Sequence, residues 1–387
     1  WTQMQLAGWC FAYSVTGDEK YYQWARKAMD NMQLQFDVPA VTFAAQGMDT
    51  GFITRSLVRS DEGEVFDEKA TQDNWHLQEY GGQTYYWKDD TSSDEYAGHY
   101  FGIPVFYDLC AKTDAERQEL ADRAGRAMRY IIDNDYLLID LDGEPTLHGH
   151  WRNLAASVDG IQACLEQSPA DECFESFGGG GWLNSIEILG ALLATWHMTG
   201  DDLFYDEYER LAGEERYAEM VPIQPSTVTV TTRGIANHSD HELAVLAYYT
   251  LLRYEPNPLR RGIWLQSIRD FYEYEKLERN ALEVGVMSSA MGNAAIADAV
   301  RTLIEIPTDL REWEYDNSHR QDYERDSEID RHDDPQFTTV TPYDEMRTFK
   351  WNGNPYRISG GRSGQTVMST WPWTLPYWMM RYHGAIQ

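Results

Sequence analysis

Long apolar runs, basic charge and cysteine are what this 387-residue chain has least of, and each shortage excludes something. No uninterrupted apolar stretch reaches the roughly 20 residues that a membrane-spanning helix needs, so no integral membrane segment is expected. Lys and Arg total 32 against 63 Asp and Glu, a formal charge of -31. That field repels phosphate backbones and anionic membrane surfaces, which argues against nucleic acid as a partner. The acidic surplus is spread along the chain, and a strongly solvated surface accounts for it. Cysteines number four. Cys164 and Cys173 flank a polar stretch and suit a small disulfide-tied loop, whereas Cys10 and Cys110 lie in apolar helical contexts as buried thiols. The loop carries the expectation of an extracellular or periplasmic location. The chain opens at Trp1 inside a helical pattern, without a basic and apolar leader, so upstream sequence, a leader or a further domain, is expected to be missing.

What the chain has in abundance is aromatic residues and helix punctuation. An apolar helix stops at Gly17, and Asp18 caps the next; the same device returns at Gly200 and Asp201. Between and beyond them the patterns predict helices over 94–109, 114–133, 183–198, 203–217, 240–253, 258–276 and 290–303. This succession predicts a mainly α chain, a single α/α toroid of roughly six helical hairpins covering residues 1–387, with long functional loops and a few short strands. The less regular stretches 36–92, 134–160, 220–237 and 307–375 are where those loops and strands belong. Val228–Thr232 reads as one such strand.

Two acidic helix starts hold most of the candidate chemistry. Asp94, Glu95 and His99 open one long apolar helix; His238, Asp240, His241 and Glu242 open another, just after Asn237. Ser92 with Glu95, and Ser239 with Glu242, have the spacing of a capping box, which by itself explains both glutamates. It leaves Asp94, Asp240 and the histidines unexplained. Glu95 and His99, four residues apart, share a helix face, as do His238, His241 and Glu242. A third element is the turn at Asp142-Gly143 and Pro145, which leads into His148, His150 and Trp151.

These segments resemble an uncharacterised family of bacterial α/α-toroid proteins. The resemblance runs over roughly residues 87 to 275 and rests on Asp90-Thr91-Ser92-Ser93-Asp94-Glu95 with Gly98-His99-Tyr100-Phe101, on Asp140 to Thr146 with Gly149 and Trp151, on Asn184-Ser185-Ile186-Glu187-Ile188-Leu189, and on Asn237 to Ala244 running into Leu251 to Glu255. It implies the fold, and an association with carbohydrate through propeller-like modules found beside family members. It brings no catalytic assignment.

Sugar rings lie their C–H faces on aromatic planes and their hydroxyls on carboxylates, amides and guanidiniums. Trp87, Tyr96, Tyr100, His148, His150, Trp151, Asn237, Arg357, Arg362, Trp371 and Trp373 are therefore the candidate substrate-binding residues. Trp75, Tyr85, Tyr86, Trp182, Trp351, Tyr377 and Trp378 add to the aromatic supply, each with core packing as the plainer explanation. The Gly-rich segment around Arg357 and Arg362 lacks the lysine and helix of a nucleotide-binding loop.

Three functions fit. The favoured one is a glycoside hydrolase acting on a neutral or weakly charged glycan or oligosaccharide, with Asp240 activating water, Asp94 or Glu95 donating the proton, and His99 or His238 tuning the pair. A polysaccharide lyase would use Tyr96, Tyr100 or a histidine as base, with Asn237 and an arginine holding the developing charge. A non-catalytic glycan-binding toroid is the third. No cofactor is required by these schemes. An optional calcium ion, held by loop oxygens around Asp133, Asp135, Asp140 and Asp142, is expected ahead of zinc, because His238 and His241 lack the usual helical zinc spacing.

Overall fold

Gly17 and Gly200 both end helices in the left-handed region, at φ 66°, and in both places an aspartate starts the next helix. Asp18 accepts the Lys20 N–H at 3.1 Å and Asp201 the Leu203 N–H at 3.0 Å, so the repeated device is a paired stop and start. The computed structural model describes residues 1–152, 180–223, 237–292, 294–330, 333–346 and 353–387. Among them the fold is mainly α, with thirteen helices and a few short strands. The helices are α1 (Thr2–Thr16), α2 (Glu19–Ala45), α3 (Glu64–Lys69), α4 (Ser93–Leu109), α5 (Asp114–Asp133), α6 (Gly180–Thr199), α7 (Asp202–Glu209), α8 (Tyr217–Met220), α9 (His238–Tyr254), α10 (Pro258–Glu275), α11 (Ala281–Ala290), α12 (Ile296–Glu305) and α13 (Trp371–Tyr382). The Cys164–Cys173 loop, the Val228–Thr232 strand and Trp351 lie outside the described residues. Cys10 and Cys110 are buried free thiols.

Helices that are apolar on every side sit in the middle. In α9 all but four residues are buried, and in α4 burial runs unbroken from Tyr96 to Phe106. By contrast, α5 buries only the stripe Leu120, Ala121, Ala124, Gly125, Ala127, Met128 and Ile131 and turns charges outward. The apolar helices pack in sequence: α1 on α4, α4 on α6, α6 on α9, α9 on α11, α11 on α13, and α13 back on α1. Meanwhile α2 packs on α1, α5 and α7 on α6, α10 on α9 and α12 on α11. Two crossings depend on glycine. A Cβ on Gly285 would lie 2.3 Å from the Pro376 Cβ, and one on Gly102 would lie 2.9 Å from the Gln3 Cβ. Among the described residues no helix is long and apolar enough to cross a membrane.

Three helix boundaries differ from the sequence expectation for local reasons. Helix α2 runs into the supposedly irregular 36–92 stretch despite Pro39, because the Gln35 carbonyl that Pro39 cannot bond accepts the Thr54 N–H at 3.0 Å. The helix expected over 203–217 stops at Glu209 in a π-turn, and Arg216 at φ 60° breaks it from α8. The helix expected over 290–303 begins only at Ile296, because α11 ends at Ala290 and Gly292 follows it with φ 70°. The stretches 36–92, 134–160 and 307–375 carry antiparallel strands. They are β1 (Ser56–Arg59), β2 (Trp75–Tyr80) and β3 (Gln83–Lys88), ordered β1-β3-β2, then the pair β4 (Leu137–Ile139) and β5 (Pro145–His150). Later in the chain β6 (Arg311–Asp316) pairs with β9 (Ser359–Val367), and β7 (Arg325–Ile329) with β8 (Pro335–Phe337).

Candidate functional site

The first acidic helix start borders a cleft of about 970 Å³. Ser92 and Glu95 form the expected capping box, with Glu95 Oε2 accepting the Ser92 N–H at 2.8 Å and the Ser92 hydroxyl at 2.7 Å. The second Glu95 oxygen lies 3.4 Å from Arg55 Nε. Asp94 has no such duty. It reaches solvent at the cleft, where enclosure by the walls and then the Glu95 carboxylate push its carboxyl above the ordinary range, against Arg55 and His148. Trp75 and Tyr85 supply aromatic wall, Lys27, Arg55, Arg59 and Lys88 supply cations, and Ser239 of α9 lies opposite.

Beside this cleft sits a carboxylate that sequence reasoning passed over. Glu187, on α6, is buried, and neither of its oxygens has a hydrogen-bond partner among the described residues. Burial pushes its carboxyl well up, and Asp94 and Asp240 both add to the effect, so the three acids of α4, α6 and α9 share one electrostatic neighbourhood. Trp151 and Ser93 lie close enough to offset part of that rise without completing a hydrogen bond. The isolated glutamate in an otherwise apolar helix, Ser185-Ile186-Glu187-Ile188-Leu189, was the available signal.

The second helix start is built differently. Asn237 is its N-cap, its amide donating to Asp240 Oδ1 at 2.6 Å and its oxygen accepting the Ser239 hydroxyl at 2.7 Å, so the Ser239–Glu242 capping box does not form. Glu242 is turned into the interior, with both oxygens unpartnered among the described residues. Burial, and then Glu283, push its carboxyl well up. His238 Nδ1 lies 3.0 Å from Glu278 Oε2, and His241 Nδ1 2.7 Å from Glu275 Oε1. Burial holds the His241 imidazole down. Burial alone would raise Glu278, but His238, His241 and Tyr274 together outweigh it and hold this carboxyl below its ordinary value.

Two groups of donors follow. His238, His241 and Glu278 form one and Glu275, Glu278 and Glu283 the other, each with donor atoms within 4.8 Å of one another and every residue buried. A buried imidazole and carboxylate set resembles a zinc-type site more than a calcium site, since calcium takes six to eight oxygens. This corrects the expectation of no required cofactor, with calcium ahead of zinc. The proposed calcium loop is committed elsewhere. Asp140 accepts the Asp90 and Leu141 N–H groups, each at 2.7 Å, Asp142 accepts the Glu144 N–H at 2.9 Å, and Asp135 pairs with Arg152 at 2.8 Å. No donor group including Asp133 is found among the described residues.

The remaining candidates are dispersed. His148 and His150 are exposed on β5, with His148 near enough to act on Asp94. His99 is fully buried beside Phe36, both ring nitrogens unpartnered among the described residues, and burial pushes it down to about 3. The Tyr96 hydroxyl accepts the Ile53 N–H at 3.2 Å, and that of Tyr100 donates to the Ala124 carbonyl at 2.9 Å, both in the core. Trp87 is buried, donating to Thr42 at 2.9 Å; Trp151 is buried against Tyr96, and Trp371 is buried at the start of α13. Trp373 donates to the Leu303 carbonyl at 3.1 Å and stacks on Tyr377. Arg357 pairs with Asp330 at 2.7 Å and Asp334 at 2.8 Å, while Arg362 lies exposed, 3.6 Å from Glu312.

Comparison of the chain with protein-family models, with curated proteins and with solved structures returns no match.

Proposed function

We propose that the protein is a carbohydrate-active enzyme, a glycoside hydrolase built on a single α/α toroid of the bacterial family it resembles, and that it works outside the cytoplasm. The order of helix packing, with α13 returning to α1, supports the toroid. One observation carries the activity: Asp94 stands in an aromatic-walled cleft with its carboxyl shifted upward, the direction a general acid needs, and a second carboxylate, the half-buried Asp240, acts on the same buried Glu187. Asp94 then protonates the leaving oxygen, Asp240 receives the water proton, and Glu187 sets the field between them. Trp75 and Tyr85 offer faces for sugar rings.

The test is product analysis on a glycan panel. New reducing ends, lost in Asp94→Asn and Asp240→Asn with folding retained, are the expected result; full activity in either variant overturns its role. A lyase is the second reading, favoured by Lys27, Arg55, Arg59 and Lys88 around the cleft, which suit a uronate. Against it, both candidate tyrosine bases are buried and bonded to the main chain. Products with ultraviolet-absorbing unsaturated ends would decide for the lyase.

A further inference from the structure

Six side chains meet where α9 starts and α10 turns into α11. His238, His241 and Glu242 come from the first turns of α9, Glu275 from the end of α10, Glu278 from the connecting turn, and Glu283 from the first turn of α11. None is more than 5% exposed. His238 Nε2, both oxygens of Glu242, Glu275 Oε2, Glu278 Oε1 and Glu283 Oε2 have no hydrogen-bond partner among the described residues, and His241 Nδ1 and Glu275 Oε1 face each other at 2.7 Å without hydrogen-bond geometry. Buried polar atoms are nearly always satisfied, so this density of unsatisfied donor and acceptor atoms at one point calls for a missing partner.

A cationic partner fits these donors. Among the described residues no lysine or arginine forms an ion pair with any of these four glutamates: Arg279 pairs with Glu305, Lys276 with Glu273, and Arg357 with Asp330 and Asp334. Interior carboxylates left without a counter-charge are strongly unfavourable. Mixed imidazole and carboxylate donors select first-row divalent ions. The two donor groups share one residue, Glu278, whose two oxygens suit a bridge. Four carboxylates and two divalent ions also cancel in charge.

We infer that the chain holds a pair of first-row divalent metal ions bridged by Glu278, one on the His238 and His241 side and one on the Glu275 and Glu283 side, with Glu242 completing the shell. A cavity of about 40 Å³, lined by His238, Glu278, Glu283, Tyr315, Tyr343 and Arg357, adjoins the cluster and has room for a water. This assignment stands apart from the cleft reading and does not depend on it.

The test uses the whole chain, purified without a polyhistidine tag, stripped with a chelator, and titrated with zinc alone and with manganese alone. Elemental analysis and competition against a chromophoric chelator are expected to give two equivalents for at least one metal, with a rise in thermal midpoint. Glu278→Gln loses both equivalents, and Glu283→Gln keeps one. Should Glu278→Gln fail to fold, the wild-type stoichiometry and the Glu283→Gln result decide. Uptake of one equivalent or fewer by the wild type, or two by a folded Glu278→Gln, overturns the inference.

Discussion

The two acidic helix starts look alike as sequence, Ser92-Ser93-Asp94-Glu95 and Ser239-Asp240-His241-Glu242, and the fold uses them in opposite ways. At α4 the serine is the N-cap, so its glutamate bends back to the main chain and Asp94 is left facing an open cleft. At α9 the helix begins earlier, capped by Asn237, and that shift in register turns Glu242 and His241 inward. Side chains three or four residues apart share a face, so the position of the cap decides which residues meet the core. One start became a wet carboxylate site and the other a dry donor cluster.

The difference can be broken from either side. The largest effect is expected at the open start: Asp94→Asn should cut turnover by about 10²–10⁴-fold, the usual range for a general acid, while Glu95→Gln mainly weakens the cap. Initial rates on the substrate found in the glycan panel check this. At the closed start, stripping metal should lower stability by about 4 kcal/mol if the ions are normally present at about 1,000 times their dissociation constant. Thermal melts with and without chelator measure it, and Asp94→Asn should leave that loss intact.

Between the two starts lies Glu187, whose folded carboxyl is raised by burial and then by Asp94. The folded state holds its proton while the unfolded chain releases it above the ordinary carboxylate range. Stability from the neutral form is therefore full at low pH and falls as pH rises toward the folded value, at about 1.4 kcal/mol per pH unit for one proton. Denaturant melts of Glu187→Gln should lack that slope. His99 works in the opposite sense: burial holds it down to about 3 against an ordinary 6.5, so its contribution is full above 6.5 and is lost as pH falls toward 3. His99→Phe should flatten the acid limb of the same curve.

The smallest effect separates the caps themselves. Ser92→Ala should cost about 1 kcal/mol, as an N-cap does. Ser239→Ala should stay within about 0.5 kcal/mol, because its hydroxyl only meets Asn237. Equal losses at both serines would erase the contrast.

Much of the scaffold was readable because it is written locally. Gly17-Asp18 and Gly200-Asp201 set helix ends by their own chemistry, and the helix over 114–133 matches α5. The Ser92–Glu95 cap was equally legible. What escaped was decided by tertiary burial. Glu275 and Glu278 read as an ordinary charged helix end beside Lys276 and Arg279, yet they continue the stripe of Ile268 and Phe271 that faces inward. A charged residue at a position owed to the core was the signal. Conversely, Trp87 and Trp371 were read for ligand contact because aromatic residues in irregular sequence look the same whether they meet a sugar or a core.

Glu275, Glu278 and Glu283 all come from one short corner between α10 and α11, in which Arg279 takes a left-handed conformation at φ 57°. Closing so short a loop has little entropic cost, so these three carboxylates can gather around a cation before the rest of the chain has folded. The histidines come from a separate helix, α9. Ion binding to the unfinished corner would favour its turn, and the docking of α9 would then seal the ion from water. Three of the six donors thus lie within nine residues of one another along the chain, so a cation bound there would tie together a local corner, while the histidines join it only through the packing of a separate helix.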